Sequence, residues 1–130
     1  MVPMARFEKH FTVEEAREWL PELRRRFEQI QGLYAELNEL HEEFEKAQAL
    51  IRMNGHAPKQ TGFEDRALTL KTLVEEIIKA GIEIKDAGRG LVDFPHWRDG
   101  EEVFLCWELG EDDLLYWHRI EDGFPGRQPI

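Results

Sequence analysis

Glu102-Val103-Phe104-Leu105-Cys106-Trp107-Glu108, followed across Gly110-Glu111-Asp112-Asp113 by Leu114-Leu115-Tyr116-Trp117-His118-Arg119-Ile120, decides the fold class. Both runs are short, rich in aromatic and aliphatic residues, and separated by glycine and acidic turn residues, so they read as two antiparallel strands. Apolar residues stand at both parities. Val103, Leu105 and Trp107 alternate with Phe104 and Cys106, while Leu115 and Trp117 alternate with Leu114, Tyr116 and Ile120. A sheet that is apolar on both faces is seldom bare on either. One face is expected to take helices, and the other the tail Gly123-Phe124-Pro125-Gly126-Arg127-Gln128-Pro129-Ile130 or a second chain.

Toward the N-terminus, Arg98-Asp99-Gly100 is a turn signal, Leu91-Val92-Asp93-Phe94 reads as a strand closed by Pro95, and Gly88-Arg89-Gly90 supplies another turn. Ile82-Glu83-Ile84-Lys85 alternates with a period of two, so the sheet should be a meander. Before Gly81 the period is helical. Thr12 and Glu15 form a capping box with Phe11 in staple position, which starts a helix. Pro21 predicts a kink near Trp19-Leu20, or a helix that ends and restarts. Leu23, Phe27, Ile30, Tyr34 and Leu37 then recur at helical spacing in a stripe that continues to about Ile51. Residues 53–62 combine Gly, Pro and Asn in a loop, and a second helix runs from about Phe63, with Ala67, Leu70, Leu73, Val74 and Ile77 on one face, to a stop at Gly81. The expected architecture is α+β in a single domain over 1–130: a long antiparallel helical hairpin over about 12–80, then a small antiparallel β-meander sheet and tail over about 82–130.

Helix lengths add a constraint. At 1.5 Å per residue the first helix after Pro21 spans roughly 45 Å and the second about 27 Å. The unmatched stripe around Trp19, Leu23, Phe27 and Ile30 must be covered by the sheet, by another subunit, or by both. Together with the two-sided sheet, this predicts a homo-oligomer, most simply a dimer.

The 130 residues carry 17 basic and 27 acidic side chains, a formal charge of −10, which argues against a nucleic-acid partner. No apolar window is long enough for a membrane span, and the first residues lack the apolar core of a signal peptide. With Cys106 the one cysteine, no intrachain disulfide can form, and a cytoplasmic setting is expected. The chain contains no serine, which excludes serine hydrolases, and no Gly-Lys-Ser/Thr phosphate loop.

Polar groups set in the aromatic C-terminal third are the candidate functional cluster: Asp93, His96, Arg98, Cys106, His118 and Arg127. Cys106 is the only plausible covalent nucleophile, and His118 on the neighbouring strand could share its face or not, depending on the connection. A cysteine between Leu105 and Trp107 reads more readily as a small buried hydrophobe. Asp93, His96, Cys106 and His118 are metal-ligand types, but no recognised spacing such as Cys-x-x-Cys or His-Glu-x-x-His occurs, so neither a metal nor a cofactor is assigned. The Arg24-Arg25-Arg26 run reads as an ion-paired helix face.

At Gly90-Leu91-Val92-Asp93-Phe94-Pro95, Gly100, Val103, Leu105-Cys106-Trp107, Gly110-Glu111, Trp117-His118 and Gly123-Phe124-x-Gly126-Arg127-x-Pro129, the sequence resembles the uncharacterised bacterial family DUF2203. The helical half is similar to that family's variable, Glu- and Leu-rich region. Glu101 stands where the family favours a basic residue, which argues against an anion site at that turn. The resemblance implies no activity, cofactor or catalytic residue. The sequence is therefore read as a self-associating interaction or assembly module without chemistry of its own. The alternative is a small-ligand or metal-dependent enzyme with its site on the Asp93 to Arg127 block.

Overall fold

The computed structural model describes residues 5–54 and 62–130. Two helices, α1 (Val13–Asn54) and α2 (Phe63–Lys79), precede five strands: β1 (Glu83–Asp86), β2 (Leu91–Arg98), β3 (Glu101–Glu108), β4 (Tyr116–Arg119) and β5 (Gln128–Pro129). The strands lie side by side in chain order and every pair is antiparallel, so the architecture is α+β with a meander sheet. Of the loop expected over 53–62, Met53 and Asn54 belong to the end of α1, Gly62 precedes α2, and 55–61 lie outside the described residues. Among the described residues no helix is long and apolar enough to cross a membrane.

The capping box forms as read: the Glu15 N–H donates to Thr12 Oγ1 and the Thr12 N–H donates to the Glu15 carboxylate, each at 3.1 Å. α1 then passes through Pro21 without ending, so of the two alternatives, a kink near Trp19-Leu20 or an end and restart, the second does not occur. A proline inside a helix costs about 3 kcal/mol. Leu20, Leu23 and Phe27, all buried around it, each return about 1.5–3 kcal/mol, which is enough to hold the helix continuous.

Pro95 does not close β2 either. The strand continues to Arg98, with Pro95 opposite Phe104. β1 pairs with β2 only over Leu91, Val92 and Asp93, so past Asp93 that edge has no strand whose carbonyl would need a proline N–H. The Pro95 carbonyl faces the same edge and accepts from the Phe11 N–H at 2.7 Å, tying the segment before α1 to the sheet. Asp99 and Gly100, both at positive φ, make the tight turn that sets Arg98 opposite Glu101 and fixes the β2–β3 register. Gly90 is required for a different reason. Its φ is +67°, and a Cβ there would lie 2.6 Å from Leu109 Cβ and 3.3 Å from the Phe27 ring.

One face of the sheet carries Val92, Phe94, Val103, Leu105, Trp107 and Trp117 into a core with Ala16, Leu20, Leu23, Phe27 and Ile30 of α1 and Ile77 of α2. Arg17 and Arg24 tie α1 to the β3–β4 connection through the carbonyls of Leu114 and Asp112. Arg25 and Arg26 pair with Glu22, and Arg26 also with Glu76, so the arginine run is engaged within the chain. Of the stretch around Trp19, Leu23, Phe27 and Ile30, which called for the sheet, a second subunit or both, Leu23, Phe27 and Ile30 are buried within this single chain and Trp19 is partly buried. Part of the opposite face is covered by the same chain, through Phe7 against the Phe104 ring and Arg127 against the Tyr116 ring, while Trp97 stays exposed.

Candidate functional site

That opposite face is where β2, β3 and β4 place their remaining side chains. Asp93 is directly opposite Cys106, and Phe104 directly opposite His118, so strand alternation puts all four on one face. The Cys106 and His118 readings left open by the sequence resolve into a shared face. The cover comes from the tail. Arg127 lies over the rings of Tyr116 and Phe124 at 4.0 and 4.7 Å and binds both oxygens of Glu111 at 2.7 and 2.8 Å. It also reaches the Cys106 carbonyl at 3.5 Å. β5 pairs with β4, and the Ile130 N–H donates to the Leu115 carbonyl, which pins the end of the tail.

Between sheet and tail lies a cavity of about 280 Å³. Leu91, Phe104, Ile120 and Phe124 give it apolar walls, Lys85 stands at its rim, and Asp93, Cys106 and His118 are its polar part. These three are 1%, 1% and 2% exposed. His118 Nε2 is 3.0 Å from each oxygen of Asp93, and His118 Nδ1 donates to the Arg119 carbonyl at 2.8 Å. With both ring nitrogens facing acceptors, the arrangement is that of an imidazolium paired with a carboxylate. Burial lowers the His118 pKa, but the hydrogen bonds to Asp93 and to the Arg119 carbonyl, with the Asp93 charge, outweigh it and leave the value raised.

Cys106 behaves in the opposite sense. Burial, then the charge of Asp93 and its hydrogen bond, push the thiol far above its ordinary range. A thiol held neutral, beside a histidine whose Nε2 is already committed to Asp93, lacks the activation that a nucleophile needs. Its sulfur remains a ligand type. The Cys106, Asp93 and His118 donor atoms lie within 4.8 Å of one another, the one such group of three found among the described residues.

The other sequence candidates go elsewhere. His96 projects to the helix side, where Nδ1 meets the Phe11 carbonyl at 2.7 Å, and Arg98 covers the Trp117 ring at 4.4 Å. Arg127 flanks the cavity through the tail contacts. Lys85 and Glu111 were missed by sequence reasoning. Lys85 lies 4.7 Å over the Phe104 ring, and Glu111 holds both Arg127 and the Glu108 N–H. The signal for Glu111 was its place between Gly110 and two aspartates in a turn facing the chain's last arginine; Lys85 carried none beyond alternation.

No curated protein and no solved structure matches the chain. Residues 9–130 match the model of DUF2203, described as an uncharacterized conserved protein, and this chain belongs to that family.

Proposed function

We propose that the domain binds a small polar molecule in the cavity between the sheet and the tail, with Asp93 as the acceptor that orients it and His118 as the partner that holds Asp93 in place. The observation that carries this is the buried Asp93–His118 pair. Taking two charges out of water costs several kcal/mol per ion, and apolar residues of similar size at both positions would be neutral or stabilising. Such a pair on the wall of a cavity, among apolar walls, is the arrangement expected of a binding or catalytic site. The cytoplasmic setting goes with this reading, supported by a free buried thiol that needs no oxidising compartment.

Fragment binding followed by amide chemical shifts tests it. Small polar fragments should perturb Cys106, His118, Gly123 and Phe124 together, and Cys106→Met, which fills the cavity, should abolish the response. Perturbations confined to other surfaces would remove the proposal.

Self-association is the second reading, favoured by the mismatch between 42 residues in α1 and 17 in α2. The ion pairs Arg26–Glu76 and Arg66–Glu36 support an antiparallel hairpin, in which the far end of α1 would extend beyond the start of α2. Light scattering over a concentration series decides it, and a mass near 15.4 kDa throughout excludes it.

A further inference from the structure

Asp93, Cys106 and His118 come from three adjacent strands, and their positions are fixed by strand pairing rather than by loops. Each offers a different donor: a carboxylate oxygen, a sulfur and an imidazole nitrogen, with all three atoms within 4.8 Å. We propose that these three side chains form a binding site for a divalent transition metal of zinc-like character, with a fourth coordination position opening into the cavity. The inference rests on the cavity being the functional site.

Three observations support it beyond the cluster itself. First, the Arg119 carbonyl accepts from His118 Nδ1, which points Nε2 at Asp93 and leaves it as the ligating nitrogen. A backbone acceptor on the far ring nitrogen is the arrangement that orients metal-binding histidines. Second, the charges balance: a carboxylate and a thiolate neutralise a dication, so the buried centre carries no net charge. Third, the donor chemistry selects the ion. Magnesium and calcium take oxygen ligands, whereas a mixed oxygen, sulfur and nitrogen set suits zinc and its neighbours.

The geometry requires a modest closure. Tetrahedral zinc with these donors places its ligand atoms about 3.3–3.8 Å apart, so the widest separation must contract by about 1 Å. Binding also moves protons. The Cys106 thiol loses its proton to solvent as the sulfur–metal bond forms, and the proton between His118 Nε2 and Asp93 leaves as the metal takes its place. Three protein ligands and one open position are the pattern of sites that act on a bound water or substrate rather than purely structural ones. Sequence spacing could not reveal this set, because no two of its members are close along the chain.

Cobalt(II) titration of chelator-treated protein gives the test, since cobalt substitutes for zinc and reports its ligands by absorption. One cobalt per chain should bind, with a thiolate-to-cobalt charge-transfer band and the intense visible bands of a tetrahedral centre, and zinc should displace both. Cys106→Ala and His118→Ala should each weaken binding by at least about 100-fold, more than loss of an outer-sphere partner alone. His96→Ala, on the other face of the sheet, should leave binding unchanged. Because Cys106 is the sole cysteine, the charge-transfer band in the unmodified protein identifies the ligand even if a variant fails to fold. Saturable binding without that band, undiminished binding in Cys106→Ala, or no saturable binding would overturn the proposal. Fragment binding to the cavity in the same chelated protein would then leave the proposed function standing and the metal alone refuted.

Discussion

The two faces of the sheet are buried by different means. The helix face meets α1 and α2 through large aliphatic and aromatic side chains, from Leu23 and Phe27 to Trp107 and Trp117, whereas the buried charged side chains Asp93 and His118 both lie on the other face. The tail face is covered by a few residues, Phe124 and Arg127 chief among them, and beneath them it holds an ion pair and a thiol. One face supplies the stability that lets the other bury charge. A two-layer domain needs only the first kind of burial to fold, so the second kind points to use.

Phe27→Ala should produce the largest loss, about 3–5 kcal/mol by urea denaturation, since its ring is fully buried and packs against β2 near Gly90. A loss below about 1 kcal/mol would break the comparison at its stable side. On the tail face, in the presence of a chelator, Asp93→Leu alone should cost about 3 kcal/mol because His118 is left buried without its partner. The double variant Asp93→Leu/His118→Leu should return to within about 1 kcal/mol of the parent. If the double variant remains as unstable as the single one, the pair is structural and the functional contrast between the faces disappears.

Smaller effects sharpen the boundary between the faces. Thr12→Ala removes one half of the reciprocal cap and should cost about 1 kcal/mol, read from the denaturation midpoint. Glu102 anchors the segment before α1, accepting from the N–H groups of Arg6 and Phe7 and contacting His10 Nε2 at 2.7 Å. Burial raises its pKa, but these hydrogen bonds outweigh burial and leave it below the ordinary value of 4.5. A depressed carboxyl pKa contributes stability that is complete above the unfolded value and is lost as pH falls through the folded one. Hydrogen exchange at the Phe7 amide should therefore rise, beyond its intrinsic pH dependence, only below pH 4.5, and Glu102→Gln should abolish that response.

Much of this was legible in the sequence because it is local. The capping box at Thr12, the glycine stop after α2 and the Asp99-Gly100 turn each involve residues a few positions apart, and each appears where it was read. Continuity through Pro21 and Pro95 was not legible, because in both cases the deciding contacts come from distant elements: the sheet under Leu20 and Leu23, and the segment at Phe11. The convergence of Asp93, Cys106 and His118 lay between these cases. Their strands were recognised, but β4 begins at Tyr116 rather than Leu114, and the register across the connection determines which side chains meet. His96 and Arg98 were grouped with them by composition and separated by alternation.

The order in which the chain emerges from the ribosome gives the α1 packing a further meaning. Leu20, Leu23, Phe27 and Ile30 leave the exit tunnel well before Leu105, Trp107 and Trp117 exist to cover them. With roughly 80 residues still to be added at about 5–20 residues per second, that apolar stripe stays uncovered for roughly 4–16 s. Until then that stripe is the part of the nascent chain open to unproductive association. An arrest-peptide force profile should show no folding tension until β3 and β4 have emerged; tension already present when only α1 and α2 are out would show that the helices close on each other first.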